Sequence, residues 1–428
     1  MEKKNKVIAI VISIVGIVVI TGMIIMQVFM KTNVIERVSQ SQEVSEVPKA
    51  LDVSSWDTSK VTVYTDKSGK KAPIPVGYVA SQVTGETEID TGLVIYEGTG
   101  SVTGTRVGVP GTPAWTASCN RNQWVWVPVN DVSRIYDVSA RKSKLYSITQ
   151  TGRSSYSNSN YEPGVLTNRD NERYFSQRNL PGMMRKKLLY EIDSELVETI
   201  KSIEKYGGFY IGRYEAGDIT AGDSSTYYRK PVERRMNTNI NYVSWYDAYM
   251  NLRTLGANEN VKANMIYGCL WDETLQWFRE TSALGEDTAA KLYNSASWGN
   301  HFDSEGFTYY SNVSGSTGTR NIIIIVPTGS TERNKANNIY DMAGNVSEWT
   351  MEGDRYNFRR YRGGSYSYNA SDYSADGRNT YDPESGFNNV RCACVLLHQI
   401  EILRSKILFD KHLREEIRTN AAERREAK

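Results

Sequence analysis

The residues able to do chemistry are few and oddly distributed. The four cysteines, Cys119, Cys269, Cys392 and Cys394, show no CxxC or Cys/His spacing, so neither a zinc site nor a disulfide framework is expected. Cys392 and Cys394 are two apart in a run that reads as a strand, which puts both on one side as buried, inert thiols. The stretch RGGSYSYNASDYSADGRNTYDPESGF, Arg362 to Phe387, is different: it is built of Tyr, Ser, Asn, Asp and Gly and holds no His, Cys or Lys. Tyr offers a large, rigid, amphipathic surface at little entropic cost, and Ser, Asn and Gly offer adaptable hydrogen bonds. That is recognition chemistry, although the same letters also spell an ordinary polar loop.

The rest of the chain must position that stretch. At 428 residues, 39% hydrophobic and 11% aromatic, it is long enough for one large or two ordinary domains with a packed core. Its net charge of +2, from 51 basic and 49 acidic residues, gives no field that argues for nucleic acid as a partner.

From Val7 to Met30 the sequence is apolar apart from Ser13, Thr21 and Gln27, and a bilayer core needs about 20 such residues. Lys3, Lys4 and Lys6 precede it, so the expectation for residues 1–30 is an uncleaved, single-pass membrane anchor with a cytoplasmic N-terminus and the bulk of the chain outside the cell. Residues 31–75 read as a polar stalk or linker.

Within 76–397 the alternation of VTGETEID, GLVIYEG and NQWVWVPV predicts short strands. An inserted helix is expected over about 181–206, with Leu189, Ile192, Leu196, Ile200 and Ile203 on one face and Gly207 as its stop. A second helix is expected from the N-cap Ser244, with Gly256 just past its end, and a third is expected to start at an N-cap, Asp272. Residues 398–428 carry Ile400, Leu403, Ile407, Leu413 and Ile417 at near-helical spacing, an amphipathic helix suited to docking or self-association.

Several segments, in this order, resemble the formylglycine-generating-enzyme (sulfatase-modifying factor) family: WVWVPV, GFYIGRYEAG, PVERRMNTNINYVSWYDAYMNL, WDETLQWFRE, NNIYDMAGNVSEWT, and RGGSY followed by VRCA. The resemblance implies an α+β fold of the C-type-lectin type, with short strands, a few helices and much irregular loop. In the oxygen-dependent enzymes of that family two cysteines close behind the RGGSY motif hold a copper ion, because thiolate is the soft ligand that Cu(I) requires. The positions here are Tyr368 and Tyr373, so the resemblance implies a scaffold without copper or cysteine oxidation.

The family's DMxGNVWEW turn binds calcium, which implies Asp341 and Glu348 as carboxylate ligands with Gly344 and Val346 as carbonyl ligands. The alternative is a metal-free turn capped by Asp341 and Asn345. Ser347 stands where the family has Trp.

Without the thiols, the Tyr-rich loop becomes the expected binding site: Tyr356, Ser367, Tyr368, Asn369, Asp372, Tyr373, Ser374, Asp376, Asn379, Tyr381 and Asn388. Arg378 and Arg391 are expected to be internal hydrogen-bond donors instead. The chain is also similar to membrane-anchored surface proteins of Firmicutes and to variable proteins of diversity-generating retroelements, whose adenine-targeted codons yield these same residue types. The expected function is extracellular binding of a protein, peptide or carbohydrate ligand. A formylglycine-generating-type oxidase and a pilin-like structural subunit are the alternatives.

Overall fold

The computed structural model describes residues 51–105, 109–137, 142–145, 160–161, 195–218, 231–232, 234–236, 243–253, 255, 258, 260–311, 315–354, 358–383, 389–390 and 392–396. Met1–Ala50 forms one unit and Leu51–Lys428 another. The membrane anchor expected at Val7–Met30, the first part of the inserted helix and the tail at 398–428 lie outside the described residues, within which no helix is long and apolar enough to cross a membrane.

The fold mixes antiparallel sheets with a few helices. Strands β1 (Val61–Thr65) and β2 (Lys71–Pro75) form a hairpin. The strands β3 (Tyr78–Ala80), β4 (Val94–Glu97), β5 (Gln123–Pro128), β6 (Gly208–Gly212), β7 (Val261–Met265) and β11 (Cys392–Leu396) build a six-stranded sheet in the order β7-β11-β6-β5-β4-β3. Strands β5 and β6 lie inside it and are buried along almost their whole length, so both faces of WVWV and FYI are covered and the alternation expected in NQWVWVPV marks no exposed face.

A second sheet sets β8 (Glu348–Asp354) beside β9 (Arg359–Arg362), and β9 beside β10 (Asn379–Tyr381). Helix α1 (195–206) ends at Gly207, whose φ of +76° favours a residue without a side chain. Leu196 and Ile203 of its expected face are buried. Helix α2 (Trp245–Leu252) starts at Ser244, whose Oγ accepts from the Asp247 N–H at 3.1 Å, the expected N-cap. Helix α3 (Gly268–Glu280) packs beside β5 and β8.

Four expectations differ from what forms. Over 51–75 the chain is folded, not a linker: Trp56 is buried and donates from Nε1 to the Lys205 carbonyl at 3.1 Å, and the Tyr210 hydroxyl donates to the Pro73 carbonyl at 3.0 Å. The hairpin is short and half exposed, so its composition resembles that of a stalk. Of VTGETEID only the first residue, Val83, enters a strand, Gln82–Val83; the buried Glu86 serves an ion pair with Arg213 at 2.6 Å. Helix α2 ends at Leu252, short of Gly256. Helix α3 begins at Gly268, so Asp272 is no N-cap; it lies inside the helix, fully buried, where its charge has another use.

Candidate ligand-binding face

That use is to hold the Tyr-rich loop. Arg362, at the end of β9, donates to Asp272 Oδ1 from both terminal nitrogens at 3.1 Å and from Nε to the Gly377 carbonyl at 2.7 Å. Arg378, just beyond the loop, pairs with the other oxygen of Asp272 and with Glu352 at 3.1 Å. All four side chains are buried, so each charge depends on the others for compensation. Trp271 Nε1 donates to the Ala375 carbonyl at 2.9 Å. The expectation that Arg378 is an internal donor holds, while Arg391 lies outside the described residues.

Above this clamp the chain from Gly363 to Gly377 folds onto itself. Gly364 has φ +71°, and a Cβ there would stand 1.8 Å from the Tyr373 carbonyl oxygen, so the two limbs of the loop touch only because one is glycine. Tyr373 N–H donates to the Asn369 carbonyl at 3.1 Å and Tyr368 N–H to that of Ser365 at 3.1 Å. These two tight turns bring Tyr368 and Tyr373 together as a stacked pair, with ring centroids 4.1 Å apart and planes 18° apart. Both rings are half exposed. Tyr361 lies buried beside them, its pKa raised by burial and then by the phenols of Tyr373, Tyr368 and Tyr381. Burial also raises that of Tyr368, helped by Tyr373 and Tyr381, so the Tyr361 and Tyr368 hydroxyls remain neutral.

Of the other expected site residues, Ser367, Asn369, Asp372 and Tyr381 are exposed and Asn379 is half buried. Ser374 and Asp376 do not face outward. Both are buried, and the Ser374 hydroxyl donates to Asp376 Oδ1 at 2.5 Å, closing the turn over Arg362. Their polar types suggested a surface, but here polarity satisfies an internal turn. Tyr356 and Asn388 lie outside the described residues.

The 341–348 turn is a hydrogen-bonded structure. Asp341, at φ +56°, accepts from Thr328 Oγ1 at 3.0 Å and the Gly329 N–H at 2.8 Å on one oxygen, and from Asn334 Nδ2 at 3.0 Å on the other. Asn345 donates to Glu215 and to the Val326 carbonyl, and accepts from Asn300 Nδ2 and the Val326 N–H. Gly344 sits against the backbone of Asn300, and Val346 N–H donates to Glu215 Oε1 at 3.0 Å. Glu348 is buried in β8 opposite Arg362 in register.

Calcium prefers six to eight loosely arranged oxygens. Among the described residues no three His, Cys, Asp or Glu side chains gather as a metal-binding group, and a cation would have to take Asp341 from three protein donors. The donor set here fits a capped turn better than a calcium shell.

Sequence reasoning missed the loop beneath the tyrosines. The Phe302 N–H donates to the Tyr368 carbonyl at 2.9 Å, and Asp303 Oδ1 accepts from the Ala370 N–H at 2.8 Å. His301 is fully buried, and burial lowers its pKa to about 4. No spacing in HFDSEG signals this, because the loop acquires its meaning only by packing against 365–373.

Residues 202–395 match the family model for the Sulfatase-modifying factor enzyme 1-like domain. The matched span contains the Asp272 clamp, the capped turn and the stacked tyrosines. Among solved structures the chain is similar to "Crystal Structure of CarF", at 17% identity over 45% of this chain and 87% of that one, with a TM-score of 0.26. It is also similar to Treponema denticola variable protein 1, at 14% identity over 44% of this chain and 95% of that one, with a TM-score of 0.23. Superpositions at this level say nothing about a site. No curated protein matches the chain.

Proposed function

We propose that the chain is a non-catalytic ligand-binding protein, anchored in the cell membrane through residues 7–30, that displays a Tyr/Ser/Asn/Asp face on a sulfatase-modifying-factor-like scaffold. The observation that carries this reading is the half-exposed Tyr368–Tyr373 stack at the two positions where the family resemblance expects copper-binding thiols. Phenol oxygens are poor ligands for Cu(I), which prefers thiolate, but stacked rings flanked by Ser367, Asn369 and Asp372 suit capture of a ligand by aromatic burial with hydrogen bonds at the edge. The buried clamp beneath supplies the rigidity that a recognition loop needs to bind without a large ordering cost. Whether the loop is diversified is a separate matter, answered by a near-copy of its coding segment, differing only at adenines, in neighbouring DNA.

The test uses the full chain, titrated with Cu(I) and assayed for oxidation of a peptide cysteine, alongside peptide and glycan arrays. The reading expects no copper stoichiometry, no oxidised product, and array binding that disappears when Tyr368 and Tyr373 are replaced. Stoichiometric copper with turnover would restore the oxidase.

A further inference from the structure

The stacked tyrosines share their edge of the molecule with two other loops. Residues 300–304 reach it through the Phe302–Tyr368 and Asp303–Ala370 hydrogen bonds. Residues 321–326 reach it through Asn300, whose Nδ2 donates to the Ile324 carbonyl at 2.9 Å and to Asn345 Oδ1 at 3.0 Å, while the Asn345 carbonyl accepts from the Tyr366 N–H at 3.0 Å.

These loops expose large apolar side chains: Phe302 at 52%, Ile322 at 67% and Ile323 at 45%. One such residue on a surface needs no explanation, but three on adjoining loops beside a half-exposed aromatic pair mark a docking surface. The exposed charges around them are acidic, while the half-buried Arg333 is turned to the Gly299 and Ala296 carbonyls. On the described residues of 299–306, 321–326 and 363–382 the exposed charged side chains are Asp303, Glu305, Asp372 and Asp382, all acidic, whereas Arg378 is buried. The chain as a whole carries +2, so the acidic rim is local to this face.

We infer that this face docks a protein whose apolar protrusion is bordered by Lys and Arg, with Phe302, Ile322 and Ile323 extending the tyrosine surface into a contact patch. The inference rests on the ligand-binding reading above and specifies the ligand. A sugar stacks on one or two rings and would leave the aliphatic side chains wet. Nucleic acid is repelled by four exposed carboxylates. A protein interface buries roughly 800 Å² on each partner, is apolar and aromatic at its centre, and gains its specificity from charge complementarity at the rim.

The experiment pans a phage-displayed random peptide library over the full chain held in lipid nanodiscs. It is repeated with three variants: Phe302→Ser with Ile323→Ser, Glu305→Lys with Asp372→Lys, and Tyr368→Ser with Tyr373→Ser. The same chains are run on a glycan array and sized by light scattering. The inference expects enriched peptides that combine bulky apolar residues with Lys or Arg. Their binding should fall at least about tenfold in every variant, as for loss of central interface residues. It should also weaken several-fold as salt rises from about 50 to 300 mM.

Because the lysine variant alters only exposed side chains, it and the salt series remain informative even if an apolar variant misfolds. Enrichment lost only with the tyrosines overturns the docking surface and leaves the tyrosine site standing. Glycan binding without peptide enrichment overturns the protein partner in favour of a carbohydrate. A dimer that dissociates on changing Phe302 and Ile323 overturns it in favour of a second copy of the chain. Neither peptide nor glycan binding, with all chains folded, overturns this inference and the ligand-binding reading together.

Discussion

Arg362 and Arg378, one before the Tyr-rich loop and one after it, meet on the single carboxylate of Asp272 inside helix α3. The loop is therefore pinned at both ends to one buried anion, and what lies between is held in place without packing its aromatic rings away. Such a triad is not in itself a source of much net stability, since taking the charges out of water costs about as much as their attraction returns. Breaking it is another matter.

Replacing Asp272 with Asn leaves two buried guanidinium groups with Glu352 alone as their shared counter-charge. We expect a loss of about 3–5 kcal/mol, read as a shift in urea midpoint at constant slope. The exposed Asp372→Asn should change stability by less than about 0.5 kcal/mol. Similar small shifts for both would show that the clamp is dispensable.

His301 sets a pH dependence with a definite sign. Burial is the main cause of its lowered pKa, offset partly by Asp303, while Arg320 and Arg333 oppose its protonation further. The folded value of about 4 lies below the ordinary 6.5, so the unfolded chain takes up a proton that the folded chain refuses. His301's contribution to stability should be full above pH 6.5 and be lost between 6.5 and 4, an amount on the order of 3 kcal/mol. Glu273, raised to about 7 by burial, contributes over the same window with the opposite sign, and Glu332, held charged down to about 2 chiefly by Arg235 and Lys335 despite its burial, acts only below pH 4.5. The His301 share is therefore read as the difference between wild type and His301→Leu in denaturant titrations. A difference that is the same at pH 4.5 and 7 would contradict this assignment.

Asp341 caps its turn with three accepted hydrogen bonds. Asp341→Ala strands those donors and should cost about 1–3 kcal/mol, whereas adding EDTA or calcium to the wild type should leave its melting temperature unchanged. A rise in melting temperature with added calcium, abolished by Asp341→Ala, would instead make this turn a cation site.

Much of the scaffold was legible because buried strands and capped helices announce themselves: Val94–Glu97, Gln123–Pro128 and Ser244 all formed where expected. The failures share a cause. Asp272, Glu86, Ser374 and Asp376 are polar residues whose partners lie far along the chain or inside a turn, and a sequence read locally assigns polar residues to caps and surfaces. The 51–75 hairpin was missed because its one large buried anchor, Trp56, hydrogen-bonds to Lys205, far along the chain. At the site, composition located the tyrosines, but the pairing of Tyr368 with Tyr373 depends on two turns and one glycine contact. The apolar flank at Phe302 and Ile322 depends on which loops meet.

The most direct measurement compares the wild-type chain with Tyr368→Ala/Tyr373→Ala on peptide and glycan arrays, with the melting temperature of each recorded. A half-exposed stacked pair contributes roughly 0.5–1.5 kcal/mol to stability, so melting should fall by only a few degrees while array binding disappears. Binding that survives the double substitution, or melting that collapses along with it, would show that these rings serve the interior of the protein and not a ligand.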